Sequence, residues 1–188
     1  MQAIELYNRY HLTVDDYHKM GEVGIIPPHL RVELIEGDII NMAPIGSRHS
    51  GTVAYLIRII SAQLNTNALL NAQNPLVLGG YSEPQPDLVV LKARDDFYRK
   101  THPTAEDVLL LIEISDTSLA YDHTVKIPLY AKNDIKELWL VNLEEKRLEI
   151  YRTPNTKKGL YQEIKILTDG SVSPLFTKFD LNIAELFE

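Results

Sequence analysis

The sequence predicts an α/β (α+β) protein whose mixed central β-sheet is flanked by helices. Three observations predict it. The apolar runs at 87–91 and 108–114 are continuous rather than alternating, as in strands covered on both faces. Over 47–64, Val53, Leu56, Ile57, Ile60 and Leu64 recur at the spacing of one helical face. A chain of 188 residues with 45% hydrophobic content can fill one core, so a single domain over 1–188 is expected.

Taken in order, Thr13 with Asp16 three residues on is a relative of the capping box, and it opens a short helix to about Met20 that Gly21 should end. Gly24, Pro27 and Pro28 form a loop. Two alternating runs at 31–35 and 38–43 flank Glu36-Gly37, the signature of a hairpin. The amphipathic helix of 47–64 follows, then a strand near 75–79, a turn or bulge at Gly79-Gly80, and the two apolar strands. A helix over about 118–133 is kinked at Pro128, which lacks a backbone donor. Strands at 137–142 and 147–152 surround a turn at Leu143-Glu-Glu-Lys, and another lies near 160–167 before the turn at Asp169-Gly170.

The net charge of −7 means that the molecule as a whole repels a polyanion, so nucleic-acid binding must be local. A homodimer concentrating its basic residues in one cleft would serve the same end. The stretch 144–158 carries Lys146, Arg147, Arg152, Lys157 and Lys158 against Glu144, Glu145 and Glu149, the composition of a solvated hairpin. Arg48, Arg58 and Lys92 are the other candidate phosphate contacts. The absence of cysteine excludes disulfides, thiolate zinc sites and cysteine nucleophiles, and fits a reducing, cytoplasmic setting. No apolar run approaches the ~20 residues of a membrane helix, so no membrane partner is expected.

The stretch 86–126 carries the candidate chemistry. Asp87 opens one buried strand and Glu113 ends its neighbour, and paired carboxylates at strand ends suit a hard, oxygen-seeking cation. Glu113 and Ser115 share a face of their strand, and the carbonyl of Ile114 can supply a third oxygen. The competing reading is an ordinary pair of charged strand ends. Against it, Glu113 follows four aliphatic residues and precedes Ile114, and a carboxylate buried there needs a cation or donors. Lys126, thirteen positions on, offers one.

Other constellations fail. The six histidines include no i, i+4 metal pair on a helix, Ser115 and Ser118 lack a nucleophile elbow, and Gly79-Gly80 lacks a phosphate loop's lysine.

The order Pro86-Asp87, Glu113-x-Ser115, Tyr121-Asp122 with Lys126 and Tyr130, then Glu137-Leu-Trp139-Leu-Val141, resembles the Uma-two family of endonucleases, members of the PD-(D/E)XK superfamily. The likeness extends upstream to Glu33-Leu-Ile-Glu-Gly-Asp and His49, and downstream to the closing Leu-Phe. It implies a restriction-endonuclease-like fold and hydrolysis of DNA phosphodiesters with Mg²⁺, or Mn²⁺ in its place, held by Asp87, Glu113 and Ile114. The superfamily's lysine two residues after the glutamate is Ser115 here, and the resemblance implies that Lys126 replaces it. Glu33 joins the metal shell or its surroundings, or is a solvated strand residue. His49 contacts phosphate or accepts a proton, or caps and packs its helix. Tyr130 orients Lys126 or fills the core, and Asp122 forms a helical ion pair with Lys126. The alternative to an enzyme is a catalytically silent module that keeps the fold for nucleic-acid binding or protein interaction.

Overall fold

A computed structural model describes residues 9–188. The chain divides into two compact units, one formed by residues up to Ala43 together with Val77–Pro84, the other by Pro44–Leu76 and Gln85–Glu188.

The first unit holds α1 (Val14–Glu22) and the hairpin of β1 (Val32–Ile35) and β2 (Asp38–Asn41). Thr13 and Asp16 close a full capping box, and the helix runs one residue past Gly21 before it ends. Both turn residues have positive φ, 49° at Glu36 and 87° at Gly37, the geometry a two-residue hairpin of strand-matched twist requires. The expected strand near 75–79 is absent. Leu78 makes only an isolated bridge to Ser82 across the turn containing Gly79, and Glu83 pairs with Leu34. His18 Nε2 lies 2.7 Å from Glu83 Oε2.

The second unit is built on a six-stranded mixed sheet of order β3-β4-β5-β6-β7-β8: Ala68–Ala72, Leu88–Lys92, Val108–Ser115, Glu137–Asn142, Arg147–Asn155 and Leu160–Leu167. Only β5 and β6 run parallel. β3, on Ala68-Leu-Leu-Asn-Ala, was not expected, because alanine, leucine and asparagine carry little strand signal whereas Leu76-Val-Leu carries much. Two terminal strands, β9 (Ser171–Val172) and β10 (Leu181–Asn182), pair separately.

Both faces of the sheet are covered over its central strands. Leu88, Val90, Leu110, Ile112, Trp139, Val141, Leu148 and Ile150 pack with Val53, Leu56 and Ile60 of α2 (Ser47–Ser61). Each such aliphatic side chain contributes ~1.5–3 kcal/mol by leaving water. Alternation sends Leu111, Glu113, Leu138 and Leu140 to the opposite face.

The helical run on that face has three parts: α3 (Leu119–Tyr121), a π turn over Asp122–Lys126, and α4 (Ile127–Lys132). Pro128 lacks the amide that would bond the carbonyl of Thr124. The turn before it widens instead, and the amide of Ile127 reaches back five residues to the carbonyl of Asp122. The expected kink is therefore a π turn, a feature common at functional sites.

Candidate functional site

Asp87 immediately precedes β4, and Glu113 lies on the adjacent β5. Each carboxylate accepts a backbone amide at or next to the other residue. Ile114 N donates to Asp87 Oδ2 at 2.9 Å, and Asp87 N donates to Glu113 Oε2 at 3.2 Å. This reciprocal pair fixes two buried carboxylates at the mouth of the β4–β5 ladder.

Helices approach each carboxylate from its own side. From α2, His49 Nε2 lies 2.9 Å from Asp87 Oδ2. The imidazole pKa is raised by that hydrogen bond, against the burial that lowers it. From the π turn and α4, Lys126 Nζ lies 3.5 Å and Tyr130 Oη 2.5 Å from Glu113 Oε1. Lys126 and Tyr130 are four residues apart and share one helical face. Gln73, just past the end of β3, donates from Nε2 to Asp87 Oδ1 at 3.3 Å, and its amide bonds the carbonyls of Pro86 and Asp87. It does so with φ at 51°, a conformation costly for a side chain larger than glycine or asparagine.

The electrostatics are unbalanced toward negative charge. Burial pushes Glu113 up to about 7, with Asp87 and Asp122 adding to the rise and Lys126 and Tyr130 opposing it. Asp122 on the π turn is buried too and is itself raised by burial, with Ser118 Oγ donating to it at 2.6 Å. Among the described residues, no third histidine or carboxylate joins Asp87 and Glu113 in a set whose ligand atoms all lie within 4.8 Å of one another. A cation placed here would find protein oxygens from the two carboxylates and backbone carbonyls, and water would have to complete its shell. That donor set fits magnesium, which keeps several waters when bound by one or two carboxylates.

The structure brings Asp87, Glu113 and Lys126 together as expected from sequence, with the backbone of Ile114 between them. Glu33 is buried on β1 opposite Ile40, in the hairpin unit. Beyond the roles weighed for them, His49 binds Asp87, Tyr130, fully buried in the core, donates to Glu113, and Asp122, which feels the charge of Lys126, is a buried partner of Ser118. Gln73 was missed altogether. Of the basic residues, Arg48 bonds the carbonyl of Leu143 at 2.6 Å and Asp116 at 3.2 Å, while Arg58 and Lys92 are exposed. Arg147 and Arg152, expected in a solvated hairpin, are engaged by Glu149 and Glu137.

A search of curated proteins finds no match. Among solved structures, the fold matches a crystal structure described as a putative nuclease belonging to DUF820 from Anabaena variabilis ATCC 29413. The TM-score is 0.68 at 21% identity, over 94% of this chain and 97% of that one. At that identity the match shows the fold alone, a mixed central sheet with flanking helices. A family model described as "Putative restriction endonuclease" matches residues 14–184, and the chain therefore belongs to the Uma2 (Uma-two) family.

Proposed function

We propose that this protein is a Mg²⁺-dependent endonuclease that hydrolyses DNA phosphodiester bonds, with Asp87, Glu113 and the carbonyl of Ile114 as metal ligands. The observation that carries this reading is the interlocked Asp87–Glu113 pair, whose negative charge is under-compensated even with Lys126 beside it. A bound cation would supply the missing charge, polarise a phosphoryl oxygen and lower the pKa of a water from 15.7 toward neutrality.

The chain's own groups do the positioning. The Ile114 amide, His49 and Gln73 hold the Asp87 carboxylate in one orientation, and Tyr130 with the Asp87 amide holds that of Glu113. Lys126 carries its charge to the same carboxylate and stabilises the negative charge that develops on the phosphate. Glu33 remains a proposed participant on the strength of the family resemblance. Phosphates flanking the cut would be met by Arg48 and Lys146, which line a cleft of about 690 Å³ at the start of α2.

The net charge of −7 favours a second reading, a catalytically silent module that binds nucleic acid locally or binds protein. Incubation with single- and double-stranded DNA and RNA in Mg²⁺ or Mn²⁺ separates the two. Cleavage of DNA that is lost in Asp87→Ala supports the enzyme. Binding without cleavage under either metal selects the silent module, and preferential cleavage of RNA overturns the substrate assignment.

A further inference from the structure

We propose that β8 is the seat of a homodimer, in which a second copy of this chain adds its own β8 in antiparallel register about a two-fold axis at Ile164. Among the described residues, β8 is an edge of the six-stranded sheet, eight residues long, and pairs on one side only, with β7. A long edge strand is a template for further pairing unless it is blunted. Beside the exposed charges of Glu163 and Lys165, three of its exposed residues are large and apolar. Leu160, Ile164 and Ile166 are 56%, 59% and 52% exposed, although they lie in a regular strand. Ile164 and Ile166 share one face, because they are two positions apart. This is the face of the helical run: Ile166 stands opposite Glu149, which His123 of the π turn contacts at 2.9 Å. The helices thus leave the rim of that face uncovered.

The occupant follows from the order of residues along the strand. A two-fold axis perpendicular to the sheet keeps each side chain on its own face, so only registers centred on a residue are allowed. With Ile164 at the centre, Ile164 meets the partner's Ile164, Tyr161 meets the partner's Leu167, and Glu163 meets the partner's Lys165. By symmetry the Glu–Lys pair forms twice. Shifting the centre to Glu163 sets the two Glu163 carboxylates face to face, and shifting it to Lys165 does the same to two ammonium groups. Directly opposed like charges destabilise a strand pair, so charge disfavours both of these shifts, and of the residue-centred registers the Ile164 one alone sets Glu163 against Lys165. β8 is therefore complementary in charge to a reversed copy of itself. Antiparallel pairing also sends the two Asp87–Glu113 sites to opposite ends of the joined sheet.

Sedimentation equilibrium of the full chain tests this, with thermal melts confirming that each variant is folded. Wild type should dimerise and Ile164→Lys should be monomeric. Glu163→Lys and Lys165→Glu should each weaken the dimer by roughly tenfold, and the two together should restore it. Lys165→Glu removes no atom of the hydrogen bond that Glu163 accepts from Thr153 Oγ1. A monomeric wild type overturns the proposal, as does a dimer that survives Ile164→Lys. A double variant no tighter than either single one also overturns it, as does capture of a strand from another protein by a chain that does not pair with itself.

Discussion

Buried carboxylates occur in two regions of the same sheet, and they are treated oppositely. On β6 and β7, Glu137 and Glu149 are enclosed by donors. Glu137 receives Arg152 through two nitrogens, the indole of Trp139 and the amide of Leu175. Glu149 receives Tyr151, His123 and Arg147, and although burial alone would raise it, those donors bring its pKa below the usual value. On β5, Glu113 has Lys126 at 3.5 Å, Tyr130 and one backbone amide, and it is pushed up to about 7. A carboxylate whose charge is neutralised in place serves the fold. One left short of positive charge is prepared to receive more of it, which is the sense in which perturbed groups mark functional sites.

The sharpest break between the regions is expected from Asp87→Ala. It removes a proposed metal ligand and should eliminate both metal binding, measured by calorimetry, and DNA cleavage. Lys126→Ala comes next. It deletes a charge aimed at the transition state, so turnover should fall ~100-fold while metal affinity stays level or improves. If cleavage survives that substitution unchanged, Lys126 serves only to offset Glu113.

Stability should reverse the order of importance. Glu137→Gln weakens the paired charge of Arg152 and should destabilise the metal-free protein by about 1–3 kcal/mol in denaturant unfolding. Glu113→Gln should stabilise it, and increasingly so with pH. Because the pKa of Glu113 is raised from 4.5 to about 7 on folding, the folded form holds the extra proton between those values, and stability falls as pH rises through that window. The glutamine variant lacks this slope. Mg²⁺ competes with the same proton, so its affinity for wild type should climb as pH passes about 7. Equal stability losses in the two glutamine variants would erase the distinction between the regions. The smallest effect belongs to Tyr130→Phe, which should move Glu113 further up and cost roughly tenfold in cleavage near neutral pH through a less available carboxylate.

The difference between the regions was partly legible in the sequence. A glutamate after four aliphatic residues announces burial, and Lys126 at helical distance announces a partner, so Asp87, Glu113 and Lys126 could be read from order and spacing. The contacts that His49 and Gln73 make with Asp87 could not, for different reasons. His49 opens a helix, where a polar residue has a local use that hides a tertiary one. Gln73 depends on β3, and with that strand expected near 75–79 instead of at 68–72, nothing placed Gln73 near Asp87. The register Ala72 opposite Leu88 would have done so. The π turn was foreshadowed by Pro128, but a proline says only that a bond is missing, not which wider turn takes up the slack. The enclosure of Glu137 and Glu149 was equally hidden, because arginines two and fifteen residues away read as surface charge until the strands pair.

The most direct measurement is anomalous diffraction from crystals soaked in Mn²⁺. The two-carboxylate site predicts one ion about 2.1 Å from oxygens of both Asp87 and Glu113, with the carbonyl of Ile114 turned toward it. An ion bound elsewhere, or none between those carboxylates at saturating metal, would contradict it.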